Sequence, residues 1–316
     1  MSTAVSVFQG LRDAQQSLRP ILYQPAAVEG SYEKAVTEIA TKIIALCEHD
    51  TQAALASILI DQRMNFTLRH AVHTATLCCA YGKQVELMSD EQLSLICAAL
   101  TMHVSFAQQQ DALWLQEEKL SALQKSSFES HSKLSKKILG EKKIKNSDWI
   151  NAVMQHHERA DGTGFLTMRG DAITKLGGML GFADRFCMLV MARAMAGDAE
   201  PPKFFRYHVR ANEEEELIQR VAEKLGHYFP GTLVKLKNDE VAVILRQTDD
   251  PEHPTVASLG TPGALTLSET VTRETTQDEF AIVEVLSWKA SANKFKLCKL
   301  WGYDAPVDNE IQSNAA

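Results

Sequence analysis

Apolar residues recur at helical spacing through most of the chain. Between Tyr32 and about Gln62 they fall at Ala35, Ile39, Ile43 and Leu46, then at Leu55, Ile58 and Leu59, which predicts two helices. The same period continues over Leu68 to Gly82, Glu91 to His103, Trp114 to Leu123, His131 to Leu139, Trp149 to His157 and Leu176 to Met195. A further helix is expected after Asn212, a good N-cap residue, with Glu213 to Glu216 in the first turn, where the helix dipole favours negative charge. The character changes at Tyr228-Phe229-Pro230-Gly231. Beyond it, Leu233 to Leu236 and Val241 to Leu245 flank Lys237-Asn238-Asp239-Glu240, a hairpin signal. Phe280 to Trp288 and Lys294 to Trp301 predict a second hairpin, and Asp249 to Thr276, rich in Thr, Pro, Gly and Asp, reads as a long surface loop between the two. Residues after Tyr303 are expected to fray. The pattern therefore predicts a mainly α protein, with a bundle from about residue 30 to 227 after a short N-terminal segment and a small β-rich module at the C-terminal end.

Composition narrows the class. At 316 residues the chain can bury a substantial core, and its net charge of −7 argues against non-specific binding of nucleic acid or anionic membranes. Met1 to Gln15 lacks the basic and apolar regions of a secretory signal. The most apolar stretch, Leu176 to Ala196, contains Asp184, Arg185 and Arg193, so it reads as a buried helix rather than a membrane span. Cys47, Cys78, Cys79, Cys97, Cys187 and Cys298 form no CxxC pair, and all but Cys298 lie in apolar helical patterns, as expected of reduced thiols in a cytoplasmic protein.

The sharpest local signal is His156-His157-Glu158-Arg159-Ala160-Asp161-Gly162-Thr163-Gly164-Phe165, where a predicted helix ends in two imidazoles before a Gly-punctuated turn. Adjacent helical residues point about 100° apart. The pair therefore suits two metals, or one metal approached from the helix end, with Glu158 and Asp161 as supporting carboxylates. The plainer alternative is an exposed helix C-terminus, where histidine complements the dipole. Arg159 and Arg185 adjoin these positions and are candidates for phosphate oxygens or for ion pairs. The cluster Lys133, Lys136, Lys137, Lys142, Lys143 and Lys145 reads first as a solvated surface, and Met179, Met188, Met191 and Met195 as core filler.

The decapeptide resembles the HHExxDGxGYP signature of the HD-GYP family of metal-dependent cyclic-dinucleotide phosphodiesterases, with Phe165-Leu166 in place of Tyr-Pro. Its flanks are similar in order. Leu68-Arg69-His70 with Ala75 and Leu77 resembles the first ligand helix, His131 before Ile138-Leu139-Gly140 the next histidine, and Gly181-Phe182-Ala183-Asp184-Arg185-Phe186 the closing segment whose aspartate is a ligand. Leu225 to Val234 resembles the β extension found after many such domains. The likeness spans about Phe66 to Val256.

The resemblance implies an HD-type helical bundle with a C-terminal β-rich module. The implied division is 1–65 for helices completing or preceding the bundle, 66–227 for the bundle, 228–303 for the β module and 304–316 for a frayed tail. It implies metal ligands at His70, His131, His156, His157 and Asp184, with His103 as a further candidate, Glu158 behind them, and ligand contacts at Arg159, Asp161, Gly162, Gly164 and Arg185. The sequence also departs from the family. Where the family has AALLHDIGK, this chain has Ala98-Ala99-Leu100-Thr101-Met102-His103-Val104-Ser105-Phe106. Met102 replaces a histidine ligand, His103 the bridging aspartate and Phe106 a substrate-facing lysine, while Phe66 stands where some members carry a glutamate. A thioether is a poor ligand for hard divalent metals, and a neutral imidazole rarely bridges two ions. The expectation is a degenerate member that binds one divalent ion of Fe or Mn type, or none, and acts through a cyclic dinucleotide such as cyclic di-GMP or a protein partner with little hydrolysis. Two alternatives stay open: an active phosphodiesterase whose metal centre is rebuilt by His103 and His73, and an adaptor without ligand.

Overall fold

The computed structural model describes residues 6–61, 65–196, 202–262, 270–287 and 294–304. Helices α1 (Val7–Tyr23), α2 (Tyr32–His49), α3 (Thr51–Ile60), α4 (Phe66–Gln84), α5 (Ser89–Thr101) and α6 (Ala107–Leu115) form the first part of the bundle. They are followed by α7 (Ala122–Glu141), α8 (Ser147–Gln155), α9 (Lys175–Ala196), α10 (Lys203–His208) and α11 (Glu214–Leu225). Helix α4 is the axis. It is buried from Phe66 to Gly82 and packs against α1, α2, α3, α5, α6, α9 and α11. No single helix among the described residues is long and apolar enough to cross a membrane, and the pair α2 and α3, which together meet that length, is bent by 111°.

The bundle starts earlier than the pattern predicts, because α1 is part of it. Val7, Phe8, Leu11, Leu18, Ile21 and Leu22 pack into the core, but Arg12 and Gln15 are buried among them and break the apolar period. Arg12 lies 3.3 Å from the Asp61 carboxylate, and Gln15 donates to Asp61 at 2.9 Å, so the ion pair and hydrogen bond compensate for burying these groups. The single helix expected over Trp114 to Leu123 is instead a break. Helix α6 ends at Leu115, and Ser121 caps α7 by accepting from Gln124 N at 3.2 Å while the Gln124 side chain accepts from Ser121 N at 2.8 Å. Asn212 does not cap α11. It lies in a short 3-10 turn, Ala211–Glu213, in which the Glu213 carboxylate accepts from Arg210 N at 3.0 Å.

The C-terminal module is an antiparallel sheet in the order β4-β3-β2-β1-β5, built from β1 (Leu233–Leu236), β2 (Val241–Arg246), β3 (Thr255–Gly260), β4 (Val271–Glu274) and β5 (Ile282–Leu286). The hairpin β1–β2 is as predicted, with Asp239 at φ +67° in its turn. The rest of the tail differs. The expected loop Asp249 to Thr276 contains β3 and β4, whose register sets Val256 opposite Arg273. Strand β3 is buried at four consecutive positions, so it lacks the alternation that reveals a half-exposed strand. Lys294–Trp301 is a 3-10 helix, not a strand, and β5 pairs with β1 rather than with it; Trp288 lies outside the described residues. The indole N–H of Trp301 donates to Leu245 O at 3.1 Å, and the Trp301 ring meets Phe8 edge-on.

Alternate residues of β2 serve two cores. Val243 and Leu245 join the helical core, whereas Ala242 and Ile244 pack with Val234, Leu236, Val256 and Phe280 in a smaller one. Asp50 joins the two layers, because it caps α3 through Ala53 N at 3.0 Å and accepts from the Arg246 guanidinium at 3.0 and 2.8 Å.

Candidate metal centre

Five helices and one turn bring seven ionisable side chains to the middle of the bundle. His70 comes from α4, His103 from the turn after α5, His131 from α7, His156 and His157 from the end of α8, Asp184 from α9 and His208 from α10, each at most 2% exposed. Three overlapping groups bring one ligand atom per residue within 4.8 Å of the others: His103, His131, His156 and His157; His70, His103 and Asp184; and His157, Asp184 and His208. The sequence-derived candidates His70, His131, His156, His157, Asp184 and His103 therefore converge. His73 does not join these groups, and both its ring nitrogens are buried without a hydrogen-bond partner.

The imidazole group has a definite electronic arrangement. His131 Nδ1 lies 2.5 Å from Phe128 O and His156 Nδ1 lies 2.7 Å from Val153 O. A carbonyl only accepts, so each Nδ1 carries the proton and each Nε2 keeps a free lone pair. Those two Nε2 atoms face each other at 3.1 Å, and His157 Nε2 stands 3.3 Å from that of His131. Burial pushes His131 down to about 3 and His156 down to about 4, and it holds His103 and His157 well below the ordinary histidine value. Converging lone pairs on neutral rings repel one another. Ligand nitrogens about 2.0–2.1 Å from a metal are separated by roughly 3.0–3.4 Å along a coordination edge, so this donor set fits a divalent cation. His103 adds two ring nitrogens that are buried and without a partner.

The carboxylate is arranged differently. Asp184 Oδ1 lies 2.7 Å from His70 Nε2, and Oδ2 lies 2.7 Å from His208 Nε2. Burial alone would raise this carboxyl, but the charge and hydrogen bond of His208, then those of His70, outweigh it and hold it well below the usual carboxylate range. His208 lies outside the motifs that the sequence offers, and its only local cue is its place one helical turn after Phe204.

Aromatic rings close the centre. Phe106 stacks on His131 at 5.2 Å, Phe66 on His70 at 5.3 Å, and Phe128 touches His131, His157 and His208 at 5.3, 5.1 and 5.6 Å between centroids. Phe165 lies 4.7 Å from His157. Met102, beside His103, is fully buried.

The turn after His157 differs from expectation. Glu158 does not support an imidazole; its carboxylate accepts from Leu166 N and Met168 N, both at 2.8 Å, and so shapes the loop. Asp161 is exposed and accepts from Thr163 N at 2.9 Å in a local turn. Gly162 has φ +81°, and at Gly164 a Cβ would stand 2.6 Å from the Glu158 backbone, so both positions require glycine for the turn itself. Arg159 binds Glu213, with Nη2 to Oε2 at 3.1 Å, and donates to His208 O at 3.3 Å, tying the turn to the segment before α11. Arg185 is half-buried, with Nε and Nη1 inaccessible and unpartnered, and desolvation lowers it to about 10. Lys133, Lys136, Lys137, Lys143 and Lys145 lie on an exposed surface and Lys142 is half-buried, while Met188 and Met191 are core residues. The side chain of Met195 is outside the described residues.

Residues 54–203 match the model of the HD domain family. Among solved structures, the chain is similar to Bd1817, a HDG"Y"P protein from Bdellovibrio bacteriovorus, with a TM-score of 0.53 and 17% identity over 68% of this chain and 74% of that one. At that identity the likeness establishes a common fold. No curated protein sequence matches the chain.

Proposed function

From a chain that carries a domain of the HD superfamily, we infer a degenerate HD-GYP-type protein that serves cyclic di-GMP-type signalling by binding and not by hydrolysis. One observation carries this reading. The dyad positions hold Met102 and His103, and Phe106 lies with its ring 5.2 Å from His131, on the flank where the family's lysine would face substrate. The imidazoles of His103, His131, His156 and His157 suit one divalent ion of Fe or Mn type, and such an ion would supply positive charge and Lewis acidity. Hydrolysis also needs an open coordination position and room for a phosphodiester. Here the donors are buried and Phe106, Phe128 and Phe165 pack against them. The chain's own residues thus hold and shield a cation, and the readout passes to a nucleotide or protein partner at the surface.

The test is turnover of cyclic di-GMP by purified protein supplied with Mn²⁺ or Fe²⁺. No linear dinucleotide above the no-enzyme control is expected. Robust, chelator-sensitive turnover would instead establish the second reading, in which His103, present in two of the three donor groups, rebuilds an active centre.

A further inference from the structure

Among the described residues, Asp184 is the carboxylate of the donor groups, and imidazoles take both of its oxygens. The partner of Oδ2 is His208 Nε2 at 2.7 Å, from a six-residue helix that none of the sequence motifs includes. A carboxylate oxygen only accepts, so the proton of this contact sits on Nε2, and that nitrogen has no lone pair to offer a metal. The ring is fixed where it stands. It is buried 5.6 Å from Phe128 between centroids, and the His208 carbonyl accepts from Arg159 Nη2 at 3.3 Å, which itself binds Glu213 at 3.1 Å.

We propose that His208 is a built-in substitute for a second cation: its N–H occupies Asp184 Oδ2 and thereby limits the centre to one ion. The inference rests on the reading above, in which His103, His131, His156 and His157 hold that ion, and adds the residue that keeps the carboxylate from taking another. An oxygen ligand stands about 2.0–2.2 Å from a divalent ion. That position falls inside the 2.7 Å between Oδ2 and Nε2, so ion and N–H exclude each other there.

With His208 removed, Oδ2 is released, and His70 and His103 offer ligand atoms within 4.8 Å of the carboxylate and of each other. His70 Nδ1 is buried without a partner, so Asp184 alone fixes its proton on Nε2, and both nitrogens of His103 are unpartnered. Three protein ligands with water in the remaining place are enough to hold a divalent ion. The opposite assignment makes His208 itself a ligand, since it also forms a donor group with His157 and Asp184. The two assignments give opposite counts of bound metal.

The experiment dialyses the full-length parent and its variants against Mn²⁺ and counts bound ion per chain. His208→Ala should bind one ion more than the parent, and adding Asp184→Asn to it should remove the gain. His208→Gln, whose side-chain amide restores a donor to Oδ2, should keep the parental count. Circular dichroism establishes that each variant is folded, and His208→Leu, which keeps an apolar side chain against Phe128, takes the place of an unfolded His208→Ala. The proposal is overturned if the folded variant without a donor binds no more than the parent, or if His208→Gln gains the ion as well. The parent's own count tests the reading beneath it: a parent without bound ion contradicts that reading, while the difference between parent and variant still decides the role of His208.

Discussion

Two halves of the same buried centre solve the problem of polar groups in an apolar interior in opposite ways. Around Asp184 the protein supplies its own partners, with one imidazole on each carboxylate oxygen at 2.7 Å. Around His131 it supplies only donors. Backbone carbonyls fix the protons of His131 and His156 on Nδ1, and the opposed Nε2 lone pairs stand 3.1 Å apart with no carboxylate in the group. The first half, a clamp on Asp184, satisfies both carboxylate oxygens within the protein, while Nδ1 of His70 and of His208 stays buried without a partner. On the reading proposed above the second takes a cation, so the two halves should respond differently to acid, to mutation and to metal.

Acid should expose the imidazole half first. Folding keeps His131 and His156 neutral to about 3 and about 4, while the unfolded chain takes up these protons near the ordinary histidine value of 6.5. The unfolded state then binds more protons, so stability is fully present above 6.5 and falls as the pH drops towards 4. Each group contributes a slope of about 1.4 kcal/mol per pH unit. Urea titrations of chelator-treated protein between pH 7 and pH 4 measure this, and a flat profile would show that the rings are not buried neutral.

The clamp is attacked by Asp184→Ala, which leaves two buried imidazoles without their shared acceptor and should cost about 3–5 kcal/mol of unfolding free energy. His208→Ala removes one of the two donors and should cost less, about 1–3 kcal/mol. Equal losses in the two variants would mean that His208, not the carboxylate, organises this half. The smallest effect is expected far from both. Arg246→Ala breaks the pair with Asp50, but the arginine side chain is 49% exposed, so solvent screening limits the loss to about 0.5–1 kcal/mol. A larger loss would make that pair the principal tie between sheet and bundle.

The part of this centre that is legible from sequence is the part that the HD-GYP-like motifs mark. The resemblance implies ligands at His70, His131, His156, His157 and Asp184, and the structure brings them together because their helices share one core. His208 was not legible, because α10 is six residues long and too short to show a period. Glu158 and Asp161 bond the backbone of their own turn, an arrangement that the spacing of carboxylates beside histidines does not reveal. In the tail, the hairpin around Asn238-Asp239 announced itself through its turn. Strand β3 did not, since burial on both faces removes the alternation, and α1 was hidden by the buried Arg12 and Gln15.

The central claim is one cation, held by the imidazole half and not by the clamp. It is tested most directly by equilibrium dialysis of Mn²⁺, Fe²⁺ or Zn²⁺ against the parent chain and Asp184→Asn, with bound metal counted per chain. The account predicts one ion per chain in both. Two ions in the parent with one lost in Asp184→Asn, or no bound ion at all, would contradict it.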